Sequence, residues 1–238
     1  MNLGQTETTP QGVRARMFAR AESRNVTKLR ELLKSVGSGR VVDLGCYDGG
    51  LLAPLLPVWR LHAKVLVYGV DADREALQHA AIKGIEGVAC DLNANLPFRS
   101  GTFDVAISNQ VIEHLTKPDI FLREIYRILK PGGRLILSTE NLSAIENLFA
   151  LSLGLRAFSQ HVSEVYNVGN RFSPDNNLPY KNPYWTHKII FTYFSLRDLL
   201  RAHGFQVDFI VTSHIASATL SKLDPIHSRF MTFEATKR

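Results

Sequence analysis

Between residues 38 and 140 the chain alternates short apolar runs with stretches of helical period, and this alternation leaves few architectures open. The runs cover residues 41–44, 65–70 ("VLVYGV"), 86–89 and 103–108 ("FDVAIS"), and "PGGRLILST" adds a fifth after a Pro-Gly turn. Each is short and apolar on both faces. Such strands, separated by helices, build a parallel sheet covered on both sides, so the expected class is α/β.

The flanking segments extend this plan. Val13, Met17, Val26, Leu29, Leu32 and Leu33 recur at helical spacing, predicting a helix over 13–35 that "VGSG" stops. Arg16, Arg20, Arg24 and Lys28 fall four apart on its other side and read as a solvated face. The first twelve residues lack an apolar segment and read as a polar tail, not a signal peptide. Residues 141–186 interrupt the alternation with "AIENLFALSLGL" and a loop rich in Asn, Pro and aromatic residues, including Tyr166, Phe172, Tyr180, Tyr184 and Trp185. The amphipathic "SLRDLLRAHGF" then ends at Gly204. "FQVDFIVTS" and "SRFMTFEAT" follow with no helix expected between them, which suggests a closing antiparallel strand. The expected organisation is a tail and helix (1–37), a ligand-binding core (38–140), an insertion forming an acceptor pocket or lid (141–186) and the rest of the core (187–238).

Composition narrows the function classes. Apolar residues make up 45% and charged residues 21% of the 238 positions, and no run of eighteen apolar residues exists to span a bilayer. Two cysteines, Cys46 and Cys90, form neither a disulfide framework nor a metal-ligand spacing, and a cytoplasmic setting is expected. The net charge of +6 favours anionic partners without choosing among them.

In an open parallel sheet, ligands sit at the carboxyl ends of the strands. Those ends carry Asp43 with the Gly45–Gly50 turn, Asp71, Asp91, and Ser108 with Asn109. Gly45 and Gly49 let a ligand approach the main chain, and Asp71 can accept from two ribose hydroxyls. "GCYDGG" lacks the G-x-G-x-x-G spacing of a pyrophosphate turn, and Asp48 within it is a poor neighbour for a diphosphate but tolerates an amino group.

These residues resemble the class I S-adenosylmethionine-dependent methyltransferases, particularly the type 11 group. "VVDLGCYDGG" resembles their first motif, "VYGVDADREAL" the second-strand acidic motif, and "ACDLNANLPF" the adenine-side segment. "FDVAISNQVIEHL" and "LKPGGRLILST" resemble the fourth- and fifth-strand motifs, and "HKIIFTYFSLRDLLRAHGF" a late H-x-x-x-F-T segment. The likeness covers roughly residues 38–140 and 187–238. It implies a Rossmann-like, seven-stranded, mostly parallel sheet with helices on both faces and a C-terminal antiparallel strand. It also implies S-adenosyl-L-methionine as cofactor. Asp43 would lie near the methionine amino group, Gly45 against the methionine portion, Asp71 on the ribose, Asp91 on the adenine amino group with Leu92 alongside, and Asn109 at the methionine end. Cys46, Tyr47, Gly49 and Ala72 complete the expected cofactor-binding set. Tyr47 departs from the family, which usually has Gly there. Its φ is expected to be negative or mildly strained, with the side chain out of the channel or over its mouth.

Methyl transfer to a hydroxyl benefits from a base, and His114, His161 and His187 are the candidates, His114 and His187 foremost. His187 is placed at the pocket edge, before a helix-like apolar run. Gln110, Glu113 and His114 at i, i+3, i+4 resemble the Glu-x-x-Glu-His metal site of ubiquinone-pathway O-methyltransferases. With Gln110 replacing the first carboxylate, no metal is expected. The expected acceptor is a small or carrier-linked (sugar or lipid) metabolite methylated on oxygen, and nucleic acid is not expected as a partner. An RNA-modifying enzyme and a noncatalytic cofactor-binding protein remain the alternatives.

Overall fold

The computed structural model describes residues 10–62, 64–173, 175–180, 182, 185–215 and 217–238. Helix α1 (Pro10–Leu33) leads into β1 (Gly39–Leu44), α2 (Leu56–His62), β2 (Val65–Asp71), α3 (Arg74–Lys83) and β3 (Glu86–Ala89). Then come β4 (Phe103–Asn109), α4 (Pro118–Ile128), β5 (Leu129–Glu140), α5 (Ile145–Ser152), α6 (Tyr193–Ala202), β6 (Phe205–Ser213), α7 (Ala218–Leu223) and β7 (Phe230–Lys237). Residues 10–12 of the expected tail are already helical. Residues 1–9 and Tyr184 lie outside the described residues.

One seven-stranded sheet runs in the order β3-β2-β1-β4-β5-β7-β6. The pairs β3-β2, β2-β1, β1-β4 and β4-β5 are parallel, and β7 is antiparallel to both β5 and β6. The α/β class, the seven strands and the C-terminal antiparallel strand are as the sequence led us to expect. Four consecutive buried residues, Val41, Val42, Asp43 and Leu44, mark β1 as covered on both faces. One cover packs Leu29 and Leu33 of α1 and Leu56 and Trp59 of α2 on Val41, Val105 and Ile136. The other packs Phe121, Leu122 and Ile125 of α4 and Leu196 and Leu200 of α6 on Val42, Ala106 and Leu135. Strand order reverses between β1 and β4, which opens a crevice at their carboxyl ends.

Two expectations fail here. A six-residue helix, α7, lies between β6 and β7; it is under two turns long, too short for a period to emerge from sequence. The apolar run after His187 is not helical, because Lys188 and Ile189 donate their backbone N–H groups to the Glu113 carbonyl at 2.7 and 3.2 Å, and helix starts only at Tyr193.

The basic side of α1 is likewise not simply solvated. Arg24 donates to the carbonyls of His214 and Ile215 (2.6 and 3.3 Å), and Lys28 to that of Thr212, so two of its four cations dock the helix on the end of β6. Asn25, buried at 2% exposure, completes the attachment. Its Nδ2 donates to Asn109 Oδ1 (3.2 Å) and Ser138 Oγ (2.9 Å), while its Oδ1 accepts from Thr232 Oγ1 (3.1 Å). One α1 side chain thereby joins β4, β5 and β7. Among the described residues no helix is long and apolar enough to cross a membrane.

Asn25→Ala strands the buried hydroxyls of Ser138 and Thr232, a loss of about 1–3 kcal/mol. Denaturant unfolding should show a lowered midpoint with an unchanged slope.

Candidate functional site

The carboxyl end of the sheet holds a cleft of about 1130 Å³. Asp43, Gly45, Cys46, Tyr47, Asp71, Ala72, Asp91, Leu92, Asn109 and His114 all line it. Gly49 and His187, also expected at the site, are not among its lining residues.

At its base, Asp43 pairs in register with Gly69 of β2 and Ile107 of β4, in the middle of the sheet. Its side chain is 1% exposed, and its Oδ2 finds no hydrogen-bond partner among the described residues. Burial, reinforced by the charge of Asp71, raises its carboxyl from the ordinary 3.8 to about 7. An orphaned buried carboxylate is costly, and it is the kind of group that a cationic ligand would relieve.

The turn above it is bare because it must be. Gly45 has φ 81°, and a side chain there would collide with Val111. Its N–H, with that of Cys46, is held by the Val70 carbonyl at 2.7 and 3.1 Å, tying the turn to β2. Gly49 (φ 75°) faces away from the cleft, against Ile85 and Ala80.

Tyr47 lies in the left-handed region at φ 47°, so the expectation of a negative φ is wrong and that of mild strain is right. Its N–H donates to Asp71 Oδ2 (2.8 Å), which holds the strained turn in place, and its ring is half-exposed at the cleft wall. Cys46 is buried, and burial followed by the Asp43 and Asp71 charges pushes its thiol up, so it packs rather than reacts. Asp48 is paired with Lys83 at 2.6 Å, which neutralises much of the charge that the sequence reading set against a phosphate.

Around the rim, Asp71 Oδ1 accepts from the Asp73 N–H (3.0 Å), and Asp91 Oδ1 accepts from the Asn93 backbone and amide (2.8 and 3.0 Å). Both carboxylates are thus oriented by local turns and keep acceptor capacity for a ligand. Asn109 is oriented by Asn25 of α1, a contact separated by 84 residues that carries no local sequence signal.

After β4, Ile112–His114 form a short 3-10 turn. Gln110 precedes it at φ 57°, so Gln110, Glu113 and His114 do not share a helix face as expected. His114 and His187 have ring centroids 4.8 Å apart, and His187 and His161 4.6 Å. His114 Nδ1 lies 3.3 Å from the Thr186 carbonyl and His187 Nδ1 2.5 Å from that of Ser159. A carbonyl only accepts, so in both rings Nδ1 carries the proton and Nε2 is the basic atom. His161 Nδ1 instead accepts from the His187 N–H at 2.7 Å and is spent on positioning. Burial, then the neighbouring His187, lowers His114 to about 4, keeping it neutral at physiological pH.

Behind these rings, Glu113 is 1% exposed, and burial, only partly offset by backbone N–H groups and the nearby Thr139 hydroxyl, raises it to about 8. Candidate ligand atoms of Glu113, His114 and His187 lie within 4.8 Å of one another, close enough to be considered for a cation although the sequence led us to expect none. Arg229 pairs with Glu140 (2.6 Å) and Glu146 (3.3 Å), anchoring the start of α5 to the sheet.

A family model described as "Methyltransferase domain" matches residues 13–209. Over 145 residues the chain is 28% identical to "Ubiquinone biosynthesis O-methyltransferase, mitochondrial" of Rattus norvegicus, covering 57% of this chain and 39% of that protein. Over 124 residues it is 32% identical to "Probable tRNA methyltransferase 9B" of Mus musculus, covering 50% of this chain and 26% of that protein. The chain therefore spans two fifths or less of the length of these relatives. A solved structure from Thermotoga maritima, described as a SAM-dependent methyltransferase and possible histamine N-methyltransferase, superposes with a TM-score of 0.62 over 94% of both chains. At 21% identity it shares the fold.

The buried Asp43 makes a testable demand on the ligand-free protein. Below about pH 4 its carboxyl is protonated whether folded or unfolded. Between about pH 4 and pH 7 only the unfolded chain releases the proton, so stability falls as pH rises and levels off above 7, a loss on the order of 4 kcal/mol. Asp43→Asn should abolish that loss, giving a variant more stable than wild type at pH 8 and equal to it near pH 3.5, as read by thermal melts.

Proposed function

The chain belongs to the methyltransferase-domain family, and from that premise we propose that it is an S-adenosylmethionine-dependent enzyme that methylates an oxygen of a small or carrier-linked metabolite. The observation that carries the cofactor assignment is Asp43, a buried carboxylate whose Oδ2 has no partner among the described residues, beneath a glycine turn at the strand-order reversal. An ammonium brought there satisfies it. In this reading Gly45 admits the methionine portion to the main chain, Asp71 accepts from the ribose hydroxyls, and Asp91 with Leu92 takes the adenine. Cys46, Tyr47 and Ala72 wall the site, Gly49 shapes the turn from behind, and Asn109, held by Asn25, lines the methionine end.

When bound, the cofactor supplies a methyl group made electrophilic by its sulfonium. The chain's own part is to exclude water, align the acceptor and take its proton. His114 lines the cleft and keeps Nε2 as a basic atom, which suits it to that role. His187 packs on His114 and is fixed by Ser159 and His161, so it serves to position the acceptor side. The insertion over 141–186 contributes Asn182 and Trp185 to the cleft wall, consistent with a role as acceptor pocket or lid. Several ubiquinone-pathway relatives are O-methyltransferases by name, which favours oxygen, while a 34% identical relative is by name a C-methyltransferase and makes carbon the competing acceptor atom. An RNA substrate is the lesser reading, because Arg24 and Lys28 are engaged with backbone carbonyls inside the protein.

Calorimetry should detect binding of S-adenosylmethionine and its demethylated product, and Asp71→Ala should weaken both by more than about tenfold. Unaltered affinity in the folded variant would remove the ribose assignment. For the base, His114→Ala should retain cofactor binding and lower turnover by about 10² to 10⁴, abolishing the acidic limb of the wild-type pH profile, while His187→Ala mainly raises the acceptor Michaelis constant. Near-normal turnover in both variants would mean that the acceptor needs no protein base. Tight RNA binding at physiological salt would reverse the order of the two substrate readings.

A further inference from the structure

Helix α5 is folded inside out. Its large side chains face solvent, with Ile145 at 48% exposure, Leu148 at 38% and Phe149 at 59%, while Asn147 and Ala150 on the opposite side are fully buried. Hydrogen bonds hold this orientation. Asn147 Nδ2 donates to the Asn141 carbonyl (2.9 Å) and Ser159 Oγ (3.0 Å), its Oδ1 accepts from the Ser159 N–H (3.2 Å), and Glu146 meets Arg229. Rotating the apolar face inward would break every one of these contacts. Leu151 and Leu153 extend the outward surface, and more than half of the exposed large apolar side chains among the described residues fall between Ile145 and Trp185. Concentrated apolar exposure of this kind marks an interaction surface.

We propose that the outward face of α5, with the arginines beside it, docks on an anionic lipid bilayer surface. Three features select this occupant. The face proposed to dock is that of α5 alone, eight residues and about 12 Å long, whereas a stable protein interface takes roughly 20–30 residues on each side. An interfacial helix needs only an apolar face at the acyl boundary and cations at the headgroups. Cations are at hand: Arg171 is exposed on a loop tied to the segment after α5, where the Arg156 N–H donates to the Gly169 carbonyl (2.8 Å) and Asn170 Nδ2 to the Arg156 carbonyl (2.7 Å), while of the exposed carboxylates in the same insertion Glu164 is neutralised by Lys188 and Asp175 opposes Arg171. Arg20 is exposed on the half of α1 that meets the insertion through Phe18 and Phe158, a half without an acidic residue before Glu22. The net charge of +6 acts in the same direction.

The proposal does not rest on methyl transfer and is tested without cofactor. In flotation with the full chain, vesicles of phosphatidylcholine containing phosphatidylglycerol should carry the protein upward, and phosphatidylcholine alone should carry much less. Leu148→Ser combined with Phe149→Ser should weaken binding roughly tenfold or more. Arg20→Gln with Arg171→Gln should remove chiefly the phosphatidylglycerol-dependent part. Melting temperatures should stay near wild type because all four side chains are at least partly exposed, and Ile145→Asn gives an independent test of the same face. Absence of flotation with either vesicle, or unchanged flotation of the folded serine variant, overturns the proposal. Self-association of wild type that the serine variant abolishes, without vesicle binding, would assign the face to a second copy of the chain instead.

Discussion

A single buried carboxylate organises the functional end of this molecule. Asp43 sits in β1, an interior strand of the sheet, 1% exposed and without a partner for its Oδ2 among the described residues, and Asp71 stands close enough to raise its pKa further. A fold that sought only stability would place an apolar residue there. The surrounding structure instead maintains the arrangement: Gly45 leaves the turn above it open, and Asp71 holds that turn by its bond to the Tyr47 N–H. The strain at Tyr47 and the cost of burying Asp43 thus sit within a few residues of each other, at the point where strand order reverses. Co-localised strain and unsatisfied charge are the marks of a site that a ligand completes.

The other wall of the cleft depends on contacts that join distant parts of the chain. Asn25 on α1 orients Asn109 at the end of β4, and Arg24 and Lys28 secure the same helix to the end of β6. Arg229 at the start of β7 clamps Glu140 and Glu146, which seats α5 and the segment bearing Ser159, His161 and His187 behind His114. Helix α1 and the segment between β5 and α6 therefore both help to shape the cleft.

The sequence made the strands, their mostly parallel arrangement and the strand-end residues Asp43, Asp71, Asp91 and Asn109 legible, because these signals are local: a two-sided apolar run, then a glycine or a carboxylate. What it concealed was non-local. The extended course of residues 188–192 is imposed by the Glu113 carbonyl, and the basic side of α1 is engaged with carbonyls about 190 positions away. Gln110 leaves the helical register because β4 turns sharply at φ 57°, a constraint that the spacing of Gln110, Glu113 and His114 does not reveal. The outward face of α5 is hidden for the same reason, since a run of Ile, Leu and Phe reads as core until Asn147 is seen to occupy the inner side.

If Asp43 is held for a cationic ligand group, binding must discharge its proton, and that release can be measured. At pH 6 the free protein carries Asp43 largely protonated, whereas an ammonium beside it requires the carboxylate. Titrating S-adenosylmethionine into the protein in two buffers of different ionisation enthalpy separates proton transfer from binding. Release of close to one proton per site is expected at pH 6, fading by pH 8.5 and absent in Asp43→Asn, which also binds more weakly. Binding without proton release at pH 6, with affinity unchanged in Asp43→Asn, would show that Asp43 does not meet a cationic group.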